Sequence, residues 1–148
     1  MNTFLKRLDD NKMLETPQQV QMFELALAEL SEKKHPELLS KLFLMLSDNV
    51  KSDEPLWGLL HYIETHNVDL QILAFLKSFS HLKKGSVEWV KTILYRSMNN
   101  PECLEILISK SSLINSSDIA DFRLILLQIS EEATQFQERV NLILKKLN

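Results

Sequence analysis

Glycine is almost missing from this chain: of 148 residues only Gly58 and Gly85 are glycine, and four are proline. Tight two-residue hairpins need glycine at positive φ, so a meander of short strands is a poor fit. Two separated glycines also leave nothing from which to build a phosphate-cradling loop. Cysteine is nearly as scarce. Cys103 stands alone, so it has no internal disulfide partner, and a reducing, cytoplasmic setting is expected. No stretch of 18 apolar residues exists to span a membrane. The opening MNTFLKRLDDNK carries charge where a secretory signal would carry an apolar segment. Positive charge is not in excess either. The formal net charge is −3, without the basic stripe that nucleic-acid binding uses, whereas mild acidity suits a basic protein partner.

What is abundant is leucine, in a chain with 45% apolar and 25% charged residues. That balance is ordinary for a globular protein and favours helix. The length suits one domain, taken as residues 1–148, large enough to bury a core without disulfides. Helix-start signals recur along it. Thr16-Pro17, His35-Pro36, Asp53-Glu54-Pro55 and Asn100-Pro101 each offer proline in a first turn, and Asp69, Ser86 and Ser117-Asp118 are candidate caps without it. Apolar residues follow at spacings of three and four, as in Leu38, Leu39, Leu42, Phe43 and Leu46. These patterns predict about eight or nine helices, over roughly 2–11, 17–33, 36–47, 54–66, 69–81, 86–98, 101–110, 117–131 and 134–147. The last two could run together, since 131–135 is a weak break. No stretch alternates with the period of a strand.

The chain also echoes itself. Trp57 and Trp89 each open a helical pattern, followed by GLLHYIETHNVDLQIL after the first and VKTILYRSMNNPECLEIL after the second. A helix pair repeated at a period in the low thirties is the pattern of an α-solenoid. The expected architecture is all-α: stacked antiparallel helix pairs forming a HEAT-like stack.

Within EPLWGLLHYIE, Leu56, Leu59, Leu60 and Ile63 share one arc, and Trp57, His61 and Glu64 lie beside it with His61 furthest out. Trp89 and Arg96 are seven apart, as are Trp57 and Glu64. If the two units stack in parallel, Glu64 faces Arg96 beside the two indoles; otherwise both are solvated surface charges. Gly58 inside a helix costs roughly 1 kcal/mol against alanine, which close approach of a neighbouring helix would explain. His61 and Glu64 could share a metal, but zinc needs three or four ligands and no second pair stands at ligand spacing. Cys103 sits in a first helical turn, where a thiol pKa can fall. Its place beside Ile106 and Leu107 fits a small buried hydrophobe better. No nucleophile elbow, zinc-protease or calcium-loop motif occurs. No catalytic, cofactor or metal residue is expected.

PLWGLLHYIE followed at this spacing by EWVKTILYRSMNNPE resembles the small all-α immunity proteins of bacterial polymorphic-toxin systems, in particular the immunity protein 30 family. The resemblance rests on Trp57, Gly58, Leu59, His61, Ile63 and Glu64, then Trp89, Leu94, Arg96 and Asn99. It covers about residues 36–108. Tyr95 and Ser97 depart from it, standing where aliphatic residues are expected. The resemblance implies a non-enzymatic protein that binds a cognate toxin domain in the cytoplasm, by occlusion or by locking it. Trp57, Gly58, Glu64, Trp89 and Arg96 are then expected to be structural. Acidic groups are candidates for the partner surface: Asp48, Asp53 and Glu54 at one turn, Asp118 and Asp121 at another, with His61 as the outward residue of the first motif. The competing readings are a HEAT-like adaptor for a different protein, and a ligand-binding helical bundle, which requires an enclosed pocket of converging polar groups.

Overall fold

The computed structural model describes residues 2–147, and among them every regular element is helical. The α-helices are α1 (Thr3–Asn11), α2 (Pro17–Leu30), α3 (Leu39–Phe43), α4 (Glu54–Glu64), α5 (Val68–Leu82), α6 (Val87–Met98), α7 (Pro101–Lys110), α8 (Ile119–Glu132) and α9 (Gln137–Lys146). Short 3₁₀ turns at Pro36–Leu38, Ser111–Leu113, Ser116–Asp118 and Thr134–Phe136 lead into or out of them.

Several starts follow the expected capping chemistry. The Thr16 hydroxyl accepts from the Gln19 N–H at 3.1 Å, and Asn100 Oδ1 accepts from Glu102 N–H at 3.0 Å and Cys103 N–H at 3.2 Å. Both side chains satisfy donors that a helix start leaves free. At α5 the cap is Asn67, accepting from Leu70 N–H at 3.2 Å. Asp69 instead lies in the first turn, 3.6 Å from Lys110 Nζ. The expected break near 131–135 is real: Ala133 leaves helical geometry at φ −139°, ψ 86°, and α8 and α9 are separate.

The largest departure from the sequence pattern is at residues 36–47, which do not form one helix. A 3₁₀ turn leads into α3, which ends at Phe43. Beyond it the chain is held by partners about forty residues away. Ser86 Oγ donates to Leu46 O at 2.7 Å, Trp89 Nε1 donates to Ser47 O at 3.0 Å, and Asp48 N–H donates to Gly85 O at 3.1 Å. An amphipathic pattern carries no record of such distant bonds.

Helices pack both on the next in sequence and on the next but one. α1 lies on α2, α6 on α7 and α8 on α9, while α3 lies on α5, α5 on α7, α7 on α9, α2 on α4 and α6 on α8. Buried side chains from Leu5 to Leu147 join into one continuous cluster. Its centre includes Phe23, Phe75, Phe79 and Phe122, with Phe79 and Phe122 edge to face at 5.0 Å. Such ring pairs contribute about 0.5–1.5 kcal/mol beyond their burial.

Gly58 occupies α4 where it meets α2. A Cβ there would lie 3.2 Å from Leu27 Cδ2, so the missing side chain gives α2 its seat. The close approach expected for this glycine is present, and the neighbour is α2.

Candidate partner-binding surface

Two contacts, one near each end, lock α4 beside α6. At their starts the Trp57 and Trp89 rings sit 5.0 Å apart, tilted by 58°. At their ends Arg96 Nε and Nη2 donate to the two Glu64 carboxylate oxygens at 2.6 and 2.7 Å. With matching ends in contact, the two helices run in the same direction. The ion pair drawn from their spacing therefore forms as a two-pronged fork, which fixes register as well as attraction. Hydrogen bonding to Glu64 raises the Arg96 pKa above its ordinary value. The side chains are 42% and 29% exposed, so water screens the pair and its net effect is small.

Trp89 is buried and its indole N–H is used internally. Trp57 is half-buried, and the exposed His61 ring lies 6.2 Å from it. Glu64 is committed to Arg96, so His61 and Glu64 do not form a shared chelating pair. Among the described residues no group of three or more His, Cys, Asp or Glu could hold a metal ion. Cys103 is half-buried, and burial followed by the nearby Glu102 and Glu64 charges pushes its thiol pKa up. The thiolate-favouring effect of a helix start is thus outweighed.

The acidic groups prove unequal. Asp48 is exposed, but its oxygens accept from the Glu88 and Trp89 N–H groups at 2.9 and 3.3 Å. It caps α6 from a loop some forty residues upstream, while Ser86, the residue at the cap position, spends its hydroxyl on Leu46 O. Asp53 and Glu54 are exposed, and Asp53 makes no side-chain cap bond. Asp118 corrects an expectation, for it is 3% exposed and offers little to a partner. Its carboxylate turns inward because Lys83 Nζ reaches it at 2.7 Å and the Ser80 hydroxyl donates to it. Bonding to Lys83, then to Ser80, holds its pKa below the ordinary carboxylate value, and Lys83 is raised in return. Asp121 is exposed and shares the same lysine at 2.6 Å.

Another histidine has a structural role that its sequence position did not mark. His66 is buried. Its Nε2 accepts the His35 N–H at 3.0 Å, and its Nδ1 lies 3.1 Å from Tyr62 O. The pattern assigns the proton to Nδ1. The Tyr62 hydroxyl donates to Lys33 O at 2.7 Å. Together they pin the loop before α3 onto the end of α4.

The surface carries open hollows. A groove of about 620 Å³ runs along α2, floored by Leu14, Pro17, Val20 and Leu25. A cleft of about 380 Å³ opens where α4 and α6 begin, with Asp48, Asp53, Glu88, Trp57 and Trp89 in its walls. A third, of about 440 Å³, lies beside the Glu64–Arg96 fork. No helix among the described residues is long and apolar enough to cross a membrane.

An all-α chain with a doubled Trp–carboxylate and Trp–guanidinium seam is what these residues build. Residues 10–107 match the family described as Immunity protein 30, and the chain belongs to that family. The match spans the seam, both indoles and the loop that caps α6, but stops within α7. No curated protein and no solved structure gives a significant match. Tyr95 packs on Phe136 at 5.1 Å. Its partner therefore lies beyond the matched segment. Ser97 turns its hydroxyl back to Ile93 O at 2.8 Å.

Proposed function

We propose that this protein binds a cognate bacterial toxin domain in the cytoplasm and neutralises it without catalysis, by covering or locking the toxin. Membership of the Immunity protein 30 family is the observation that carries this reading. The helical organisation is compatible with it. Sequential helices pack on each other, as α1 on α2 and α8 on α9, and next-but-one helices pack as well, as α3 on α5 and α5 on α7. α4 also runs parallel to α6, and we read the whole as one HEAT-like stack of helix pairs over residues 1–148. Such stacks present broad, rigid surfaces suited to protein contact. The Trp57–Trp89 and Glu64–Arg96 contacts hold that surface together from within. The exposure of Asp53, Glu54 and His61 supports assigning them to the partner side, with Asp48 at its edge and Asp121 more remote.

Co-expression tests the reading. The gene immediately upstream is expressed alone and together with this protein. Arrested growth in the first case and recovery in the second, with a complex that survives size exclusion, are the expected results. Toxicity that persists despite abundant folded protein, or no complex, refutes it.

A further inference from the structure

The groove along α2 and the cleft at the starts of α4 and α6 share a wall, because Lys51 lines both. They are two halves of one seat with different chemistry. The floor of the first half is apolar, and Leu25 on it is 49% exposed. Its rim carries Glu15 and Glu24. The second half carries Asp53, Glu88 and the half-buried Trp57. Among the described residues, Glu15, Glu24 and Asp53 form no ion pair, and Glu88 has only Lys91 at 3.8 Å. Lys51 is the only cation in the walls of either half. The whole seat lies inside residues 10–107, the part the chain shares with its family. The hollow formed with α1 and α3 differs on both counts: Lys12, Lys41 and His81 rim it, and its Leu5 and Asp9 precede the matched segment.

Resting on the toxin-binding reading above, we propose that this two-part seat is the toxin-binding face, and that its occupant is a basic amphipathic segment of the toxin. Apolar side chains of that segment enter the groove over Leu14, Val20 and Leu25. A lysine or arginine next to them enters the cleft, where Asp53 and Glu88 supply opposite charge and the Trp57 ring supplies a face for a cation. Carboxylates that outnumber the one lysine around an apolar floor favour this occupant over an acidic or wholly apolar one. Asp48 borders the cleft but already caps α6, so its part is to hold the wall.

The test uses the protein encoded immediately upstream as the probe, with binding measured by calorimetry at low and high salt. Leu25→Asp should weaken the complex at least about tenfold, as burial of a charge in an apolar contact demands. Glu24→Lys combined with Asp53→Asn should weaken it about tenfold at low salt and much less at high salt. Glu105→Lys, exposed on α7, should bind within about twofold of the parent. Thermal melts monitored by circular dichroism show that each variant is folded. If the parent chain binds while both seat variants bind as tightly as it does, the seat is wrong and the toxin-binding reading stands. If the parent chain itself does not bind, both fall together.

Discussion

Asp48 and Trp89 lie 41 residues apart in the chain, yet the Asp48 carboxylate accepts the Trp89 backbone N–H at 3.3 Å while its other oxygen takes the Glu88 N–H at 2.9 Å. The start of α6 is thus capped by a loop belonging to the preceding helical unit. Loss of a capping side chain costs about 0.5–2 kcal/mol. Asp48→Ala should cost about 1 kcal/mol in urea denaturation, and Asp48→Asn less, because an amide oxygen still accepts one of the bonds. Equal losses in the two variants would show that charge, not acceptance, is what α6 requires.

The Glu64–Arg96 fork makes a different forecast. Because the pair is partly solvated, a double-mutant cycle with Glu64→Gln and Arg96→Met should return a coupling of about 0.5–1 kcal/mol, reduced by salt. Arg96→Lys should recover less than half of it, since an ammonium cannot present two parallel donors. A coupling above about 3 kcal/mol would place the pair in a far less solvated setting than this surface offers.

Gly58 sets helix propensity against packing. Alanine there should gain up to roughly 1 kcal/mol in the unfolded-chain and helix balance, but its methyl would crowd Leu27. Gly58→Ala alone should therefore change stability little. Introduced into a Leu27→Ala background, the same change should stabilise by about 0.5–1 kcal/mol. Stabilisation of the same size in both backgrounds would mean that Leu27 moves aside freely.

Asp118, just before α8, and Lys83, just after α5, form an ion pair that should make stability depend on pH at both extremes. The folded pKa of Asp118 lies below its ordinary value of 3.8. Its contribution is complete above that value and is lost as pH falls through the folded pKa, because the unfolded chain takes up the proton first. Lys83 is raised above 10.5, so its contribution is complete below that value and lost as pH climbs through the folded pKa. Asp118→Asn should flatten the acid limb of the stability profile between about pH 5 and pH 2. Lys83→Met should destabilise more than Asp118→Asn at neutral pH, because it strands a buried carboxylate. An acid limb unchanged in Asp118→Asn would assign it to other carboxylates.

Much of this molecule was written in local pattern. Spacings of three and four placed most helices close to their bounds, Thr16 and Asn100 announced their own caps, and paired intervals of seven put Glu64 opposite Arg96 once the helices ran together. These succeed because helix periodicity and first-turn capping act within a few residues. Where tertiary contact competed, the pattern misled. Residues 44–47 fall within the helix expected over 36–47, yet Ser86, Trp89 and Gly85 draw the backbone of Leu46, Ser47 and Asp48 into other bonds. Asp118 reads as an outward charge until Lys83 arrives from α5. His66 closes the helix expected over 54–66 with nothing local to mark its role, until the backbone N–H of His35 comes to meet its ring. The sequence alone determined a helical chain, its repeated indoles and its family. Only the folded arrangement decided which carboxylates face water and which serve the interior, because that outcome depends on groups thirty to forty residues away brought within hydrogen-bond reach.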